Sequence, residues 1–186
     1  SNPCYKCPSN KNNFLFKVQE LCKANGSLFI LDEMITGFRW DLKGAQNFFG
    51  VQPDLSTFGK GMANGFSVAA VVGRKEVMDV GSINNLGSER TFLLSSTHGG
   101  EMSSLRAFIE TVKVYKDKYV CEHHWKYGED LKKGFEDIIQ SYNLNNFFKL
   151  IGPAICMNYV AFDKDSRESL IFRTLTTITV EILRPA

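Results

Sequence analysis

Lys60, in the stretch "FGKGMANG" at residues 58–65, is the side chain of this sequence best suited to covalent chemistry. It stands between two glycines, at a turn between two apolar runs, where a long cation has little structural use. A neutral lysine amine attacks carbonyl groups to form a Schiff base, and a dry, constrained setting favours the neutral amine. The flanking glycines would let the backbone approach a bulky cofactor closely. The alternative is a surface lysine in a glycine-rich hairpin, which the spacing also permits.

Two nucleotide-binding interpretations of the same glycines fail on spacing. A dinucleotide loop needs its glycines to open a helix, but the apolar run "SVAAVV" begins only two residues after Gly65. A P-loop needs glycine at position 54 and serine or threonine at position 61, where the chain has Asp54 and Gly61. A nucleotide-dependent oxidoreductase is therefore disfavoured.

The second candidate residue is Asp32, which ends the apolar run "LFILD". Consecutive apolar residues before an acid are typical of a strand covered on both faces, as in a parallel sheet under helices. Ligand sites in open α/β sheets lie beyond the carboxyl ends of strands, although an aspartate at such a point also caps turns. A carboxylate and an amine together match pyridoxal phosphate, because the carboxylate keeps the pyridine nitrogen protonated and the ring then withdraws electrons.

The third candidate residue is Thr97 in "SSTHGGE", which precedes two glycines and a predicted helix that begins near Glu101. Its hydroxyl and the nearby backbone N–H groups would suit a phosphate. A serine- and threonine-rich turn before a helix has the same appearance, so this motif alone does not decide.

Hydrophobic spacing predicts the elements that must position these three residues. Helices are predicted over 13–25, near 42–50, over 74–80, from 101 to 120 and over 125–142, strands over 27–33, 54–59, 66–73 and 154–162, and an exposed loop over 82–91. The order of helix and buried strand indicates an α/β layer. The apolar stripes of the two long helices are interpreted as core: Met102, Leu105, Phe108, Ile109, Val112 and Tyr115 in the first, and Trp125, Leu131, Phe135, Ile138, Ile139 and Tyr142 in the second.

Composition excludes several classes of function. The chain has 186 residues, 44% of them hydrophobic, and a formal net charge of +2 with interspersed charges, so neither nucleic-acid nor membrane binding is indicated. No apolar run approaches the roughly 20 residues that span a bilayer. Five cysteines, an odd number, favour reduced thiols and a cytoplasmic location. Cys4 and Cys7 form one CxxC with no second pair and no histidine nearby, so a flexible leader is preferred to a zinc site and no metal is expected.

Four motifs in succession carry a resemblance to a known family. They are "LFILDEMITGFRW", "GVQPDLSTFGKGMANG", "AAVVGRKEVMD" and "SSTHGGEMSSLRA", spread over a match from about residue 15 to residue 119. In this order they strongly resemble the class III, fold-type I pyridoxal-phosphate aminotransferases, especially the glutamate-1-semialdehyde aminomutase branch. The chain departs from the family's pattern at Met34, where many relatives have valine, and after Thr97, where Gly-Gly-Glu-Met replaces the more usual Gly-Asn-Pro. Neither departure removes a reactive group.

The resemblance implies a role for each candidate residue. Asp32 would pair with the pyridine nitrogen, Met34 would pack against the ring face, and Lys60 would form the Schiff base with the cofactor. Thr97 would hold the cofactor phosphate of the neighbouring subunit, since members of the family are homodimers with active sites at the interface. Arg39 is interpreted first as an ion-pair residue and only second as a substrate-binding residue.

The resemblance also implies an α/β fold. Residues 1–118 would form part of a pyridoxal-phosphate-binding large domain, with a mostly parallel sheet and helices on both faces. Residues 119–186 would begin an incomplete α+β C-terminal small domain. Family members are longer, and their upstream part carries a phosphate-binding turn and an aromatic residue stacked on the ring, so the chain is interpreted as a fragment. It would transfer amino groups of small amino or keto substrates as an aminotransferase or aminomutase; the alternative is an inactive fragment that acts at most as a binding piece.

Overall fold

The computed structural model of this chain describes residues 13–82, 84 and 99–162. The predictions made for Cys4, Cys7 and Thr97, for most of the loop at 82–91 and for the C-terminal end lie outside these residues. The chain divides into two compact units, residues 1–123 and residues 124–186.

The helices of the described residues agree with the helical spacing of the sequence. They are α1 (Phe14–Ala24), α2 (Ala45–Phe49), α3 (Lys75–Met78), α4 (Met102–Asp117) and α5 (Val120–Ser141), within which the division between the units falls. Asn13 begins α1, because its side-chain oxygen accepts a hydrogen bond from the Phe16 N–H at 2.8 Å. The amide of Asn13 donates to the Phe49 carbonyl at 3.1 Å, so the same residue ties α1 to α2.

Among the described residues of the first unit, three strands form a sheet in the order β1 (Ile30–Asp32), β2 (Leu55–Phe58) and β3 (Ala70–Gly73). Strands β1 and β2 are parallel, and Asp32 is paired with Thr57. Strand β3 is antiparallel to β2. The glycine-rich turn therefore leads into an antiparallel strand and opens no crossover helix, which agrees with the rejection of a dinucleotide loop.

The prediction that the strand ending at Asp32 is covered on both faces was wrong. Ile30 is 56% exposed, and Val71 on the same face of the sheet is 44% exposed. The opposite face is covered at Leu31, which packs against α2, and at Phe58, which belongs to a core that includes α4, while Val72 on that face is 46% exposed. Within the described residues the first face is only partly covered, although the apolar run has the composition of a doubly covered strand.

Two hydrophobic clusters hold the first unit together. One joins the residues that follow β1 and β2 to the two long helices and contains Phe38, Phe58, Met62, Tyr115 and Cys121. The other lies between α1, α2 and the sheet and contains Phe29, Ala45, Phe49 and Val51. The first cluster is important for the site described below, because it fixes the loops that follow the carboxyl ends of β1 and β2.

The apolar stripes of α4 and α5 are only partly core, so this prediction was wrong for many of their members. Tyr115 and Ile139 are buried, but the exposed members are Met102, Leu105, Ile109, Leu131, Phe135, Ile138 and Tyr142. An amphipathic stripe shows that a helix has an apolar face, and whether that face is buried depends on what else is present to cover it. No helix among the described residues is long and apolar enough to cross a membrane.

Asp54 joins the starts of β1 and β2. Its carboxylate accepts one hydrogen bond from the Phe29 N–H at 2.8 Å and another from the Arg74 guanidinium at 2.8 Å. The Phe29 N–H first, and Arg74 second, lower the pKa of Asp54 below its ordinary value. This interaction therefore stabilises the fold above the ordinary pKa of an aspartate and is lost as the pH falls through the lowered folded-state value.

In the second unit, the hairpin of β4 (Phe148–Ile151) and β5 (Asn158–Ala161) is antiparallel, with Leu150 opposite Tyr159. The rings of Phe148 and Tyr159 stack with centroids 5.3 Å apart. The sequence predicted a strand at β5 but not at β4, because "FFKLI" follows a helix directly and its short apolar run has no distinct period.

Cys121 offers a test of the buried cluster. Its burial, with smaller contributions from the charges of Asp41 and Glu122, raises the pKa of its thiol to about 11. We expect iodoacetamide at pH 8 to alkylate Cys121 at least ~10-fold more slowly than the exposed Cys156, because the thiolate is the nucleophile. Peptide mass spectrometry after timed quenching measures both rates.

The control for this test is the chain in urea, where both thiols should react at the same rate. The raised pKa also means that the neutral Cys121 thiol stabilises the fold below the unfolded-state value near ~8.5, and that this contribution is lost as the pH rises towards the folded-state value. Equal alkylation rates in the folded chain would contradict the buried position of Cys121.

Candidate functional site at the carboxyl edge of the sheet

Asp32 and Lys60 follow neighbouring parallel strands at the same edge of the sheet. Asp32 is the last residue of β1, and Lys60 comes two residues after Phe58, the last residue of β2. Because the two strands are parallel and Asp32 is paired with Thr57, both chains leave the sheet in the same direction. The carboxyl edge is where open α/β sheets bind ligands.

The carboxylate of Asp32 is held in place through one of its two oxygens. Its Oδ1 accepts hydrogen bonds from the Met34 N–H at 2.9 Å and from the Thr57 hydroxyl at 3.1 Å. The first bond is the local turn that an aspartate after a strand often makes. No described residue donates to Oδ2, and the side chain is exposed. Asp32 is therefore oriented by the protein while one oxygen stays available to a ligand.

Lys60 has an unusual backbone conformation. It opens the short 3₁₀ turn Lys60–Met62, and its φ of 44° lies in the left-handed region that favours glycine. Such positions are costly for a residue with a side chain and are concentrated at functional sites. The Lys60 side chain is exposed, and within the described part of the chain its amine makes no hydrogen bond or ion pair.

Gly59 lies under the side chain of Met34. A Cβ built at Gly59 would stand 2.4 Å from Cε and 3.0 Å from Sδ of Met34. Met34 from the loop after β1 therefore fills the space that the missing side chain leaves beside Lys60. Contact between the two loops is thus one reason for glycine here; the close approach of a cofactor to this backbone stays a prediction.

Gly37 and Gly61 bring the same two loops together at a second place. A Cβ at Gly37 would lie 2.5 Å from the Phe58 ring and 2.8 Å from the Glu33 carbonyl oxygen, so no other residue fits there without movement. Gly61 is buried, and a Cβ on it would be 3.8 Å from the Gly37 carbonyl and from Cβ of Phe38. The loop that carries Met34 is therefore packed against the turn that carries Lys60.

The ring of Phe38 anchors the first of these loops in the core. It meets the Phe58 ring edge to face at 5.8 Å, and the rings of Phe108 and Tyr115 at 5.8 Å and 6.5 Å in the same manner. Phe38 itself has a φ of 59°, which turns the chain back after the Gly37 contact. The position of the loop is thus fixed by aromatic packing between β2 and α4.

Glu33, next to Asp32, is completely buried and is fully hydrogen-bonded. Its carboxylate accepts from the backbone N–H groups of Ala45 at 2.9 Å and Gln46 at 2.7 Å, and also from the Thr36 hydroxyl. It therefore caps the N-terminus of α2, where unpaired amides attract a negative charge. Gly44 has to be glycine here, since its φ is 88° and a Cβ would stand 2.6 Å from Oε1 of Glu33.

The described residues thus bring Asp32, Met34 and the Lys60 turn together, whereas Thr97 lies outside them. The interpretation of Arg39 as an ion-pair residue finds no support, because its guanidinium pairs with no described residue.

The roles of Thr57 and Glu33 were missed. The role of Thr57 depends on the strand register and that of Glu33 on a helix distant in sequence, and neither can be read from the sequence. The adjacent acids "DE" were the only available signal. Within residues 13–82, 84 and 99–162 there is no cluster of three or more potential metal ligands.

Comparison with known proteins identifies the family to which this chain belongs. The family model of the class-III aminotransferases matches residues 8–173. The chain belongs to this family. The match extends well beyond the four motifs, into residues of the second unit.

Curated relatives have two different activities. A 3-aminobutyryl-CoA aminotransferase from Cloacimonas acidaminovorans is 36% identical over 171 residues, which are 90% of this chain and 37% of the relative. A glutamate-1-semialdehyde 2,1-aminomutase from Chlorobium phaeovibrioides is 32% identical over 161 residues, which are 87% of this chain and 36% of the relative. The chain spans just over a third of the length of these curated relatives.

Solved structures show the same fold. The FumI protein of Sphingopyxis sp. MTA144, in a pyridoxal-phosphate internal aldimine form, matches 81% of this chain and 34% of its own chain with a TM-score of 0.69 and 25% identity. A taurine:2-oxoglutarate aminotransferase from Bifidobacterium kashiwanohense, solved with pyridoxal phosphate and glutamate, matches 82% of this chain and 33% of its own with a TM-score of 0.66 and 26% identity. The fold is that of the fold-type I pyridoxal-phosphate transferases, present here in part.

Proposed function

We propose that this chain carries the lysine and aspartate half of a pyridoxal-phosphate site in an aminotransferase or aminomutase. The observation that carries the proposal is the convergence of the loops after β1 and β2, which sets Asp32, Met34 and Lys60 at one edge of the sheet. Family membership agrees with it. The activity is a proposal because the chain spans only part of its relatives.

The described residues fit the chemical groups of pyridoxal phosphate. Asp32 has one oxygen oriented by the protein and the other free to accept a hydrogen bond from a protonated ring nitrogen. Met34 offers a flat apolar contact for the ring, and the exposed Lys60 amine is available for covalent attachment to the aldehyde carbon. When bound, the cofactor supplies an electron sink that stabilises negative charge on the substrate carbon.

Lys60 would have two tasks. Its amine would hold the cofactor covalently between reactions, and once released it would carry a proton between the substrate α-carbon and the cofactor carbon C4′. The left-handed backbone of Lys60 would direct this amine, since the φ of 44° is fixed by the packed turn around it. Asp32 would stand beside the ring nitrogen, because the Met34 N–H and the Thr57 hydroxyl orient its carboxylate.

The remaining parts of the proposal concern the assembled protein. Residues 1–118 would be part of the cofactor-binding large domain and residues 119–186 the beginning of the C-terminal small domain. The protein would act on a small amino or keto substrate in the cytoplasm as a homodimer, with Thr97 reaching the cofactor phosphate of the neighbouring subunit. The homodimer is proposed because members of the family that the sequence resembles are homodimers. Sedimentation analysis, which measures the mass of the protein in solution, tests it.

The experiment that tests the site is covalent trapping. The purified chain is mixed with pyridoxal phosphate, the visible absorbance of the imine is recorded, and borohydride then reduces the bond so that the labelled peptide can be identified. We expect one labelled peptide, and we expect it to contain Lys60. Labelling spread over several surface lysines would contradict the proposal.

The second candidate function is an inactive fragment that acts only as a binding piece. The observation in its favour is the exposed apolar surface, which includes Ile30 and Val71 on the sheet and Ile109 on α4. An inactive fragment would give no imine absorbance above that of a lysine-containing control protein at the same concentration. Selective labelling of Lys60 would exclude this candidate.

Replacing Asp32 with asparagine is expected to separate attachment of the cofactor from its activation. The neutral amide keeps the turn with Met34 but provides no negative charge for the ring nitrogen. We expect borohydride labelling of Lys60 to persist, while the rate of proton removal from an amino substrate falls by ~100-fold or more. Single-turnover absorbance measures that rate, and Asp79→Asn, at the end of α3, is the control. An unchanged rate would contradict the role of Asp32.

A further inference from the structure

Arg39 carries a positive charge beside the turn of Lys60. Its side chain is exposed, and its guanidinium makes no ion pair or hydrogen bond with any described residue. Its Nε lies 3.8 Å from the point where a Cβ on Gly61 would stand. The Arg39 side chain therefore lies next to Gly61, the residue that follows Lys60.

The main chain of Arg39 is held by the fold. Its N–H donates to the Thr36 carbonyl at 3.2 Å, and the preceding residue, Phe38, is clamped in the aromatic cluster. An arginine on a fixed turn loses less freedom on binding a ligand than one on a mobile loop. The charge is therefore presented at a defined place.

The acidic groups on the same loop are already used. Asp41 accepts from the Lys43 N–H at 2.7 Å and from the Asn47 amide at 3.0 Å. Glu33 is enclosed by Thr36 and the start of α2. Lys60 and Arg39 thus bring two cations to the edge that also holds the Asp32 carboxylate, and neither cation forms an ion pair with a described side chain.

We propose that Arg39 recognises the carboxylate of the amino-acid or keto-acid substrate, an inference that rests on the function proposed above. In an α-amino acid the carboxylate and the amine share one carbon, so the cation that binds the carboxylate has to stand near the residue that handles the amine. Arg39 meets this condition because its Nε lies 3.8 Å from the Cβ position of Gly61, the residue after Lys60. A guanidinium binds the two oxygens of a carboxylate through two parallel hydrogen bonds, which a lysine does not reproduce.

Binding of lactate and of lactamide to the chain without cofactor tests this assignment. The two probes share their carbon skeleton and their hydroxyl, contain no carbonyl that reacts with Lys60 as a ketone would, and differ in charge. Titration calorimetry or ligand-observed NMR measures their affinities. We expect Arg39→Met to weaken lactate binding about tenfold, Arg39→Lys to restore part of it, and lactamide to bind equally to all variants.

Arg106→Met is the matched control, because Arg106 is an exposed arginine that is already paired with Glu110 at 2.6 Å. It should leave lactate binding unchanged. Equal lactate affinity of the unaltered chain and Arg39→Met overturns the inference, and so does the absence of lactate binding to the unaltered chain. An equal loss in Arg106→Met would show a nonspecific charge effect and also overturns it.

Inorganic phosphate is the second arm, since a guanidinium binds phosphate as well as carboxylate. Weaker phosphate binding in Arg39→Met with lactate unaffected would assign Arg39 to the cofactor phosphate and overturn the carboxylate assignment. Thermal unfolding of each variant shows that it is folded. If borohydride does not label Lys60 in the unaltered chain, the proposed function itself is contradicted. If Lys60 is labelled but Arg39→Met binds lactate as tightly as the unaltered chain, only this inference is contradicted.

Discussion

Lys60→Ala is expected to remove covalent attachment of pyridoxal phosphate and to lower the rate of amino-group transfer by at least ~10³-fold. An amine at this position would serve as both the attachment point and the proton carrier, and a positioned acid–base group alone contributes ~10²–10⁴-fold. Alanine keeps the backbone but supplies neither function. Borohydride labelling followed by peptide mapping gives the first result, and single-turnover absorbance with an amino substrate gives the second.

Lys43→Ala is the matched control, because Lys43 is another exposed lysine of the first unit on a loop after β1. It should retain both the labelling at Lys60 and the rate. Retention of labelling in Lys60→Ala, at any other lysine and with the same stoichiometry, would contradict the assignment of Lys60.

Lys60→Gly adds a stability measurement to the same experiment. Glycine adopts the φ of 44° without the steric cost that any residue with a Cβ meets there. We therefore expect the glycine variant to be more stable than the alanine variant by about 1 kcal/mol, although both are inactive. A more stable but inactive variant is the pattern of a residue held in strain for function.

The sequence was sufficient for those features that depend on local pattern. The helices α1 and α4, the strand β2 and the turn at Gly65 were predicted because apolar period, caps and glycines report on a few neighbouring residues. The family was recognised because four motifs occurred in the right order. Asp32 and Lys60 were selected by residue type and by their place after apolar runs.

The sequence could not provide the pairing register of the strands, nor show which apolar faces are covered by other residues. The hydrogen bond from Thr57 to Asp32 exists because β1 and β2 pair in one particular register, and the contact of Met34 with Gly59 requires both loops in three dimensions. The exposed Ile109 shows that the burial of an apolar residue could not be predicted from the sequence either. An apolar stripe has the same sequence whether its cover lies in the same chain, in another copy or nowhere.

The adjacent acidic residues Asp32 and Glu33 have different roles. Successive side chains of an extended segment point to opposite sides, so Asp32 is exposed at the candidate site while Glu33 enters the protein. Glu33 then fixes Thr36 and the start of α2, and thereby the loop that carries Met34. The order of the candidate site thus depends on a carboxylate that would never touch a ligand.

Glu33→Ala is accordingly expected to lower the free energy of unfolding by about 3–5 kcal/mol, since it leaves buried N–H donors at Ala45 and Gln46 without an acceptor. Glu33→Gln should cost about 2–3 kcal/mol, because its amide NH₂ would face those donors in place of one oxygen. Urea unfolding followed by circular dichroism measures both. Glu20→Ala, an exposed glutamate on α1, should change stability by less than about 0.5 kcal/mol. If Glu33→Ala unfolds at the same urea concentration as Glu20→Ala, Glu33 does not hold the loop.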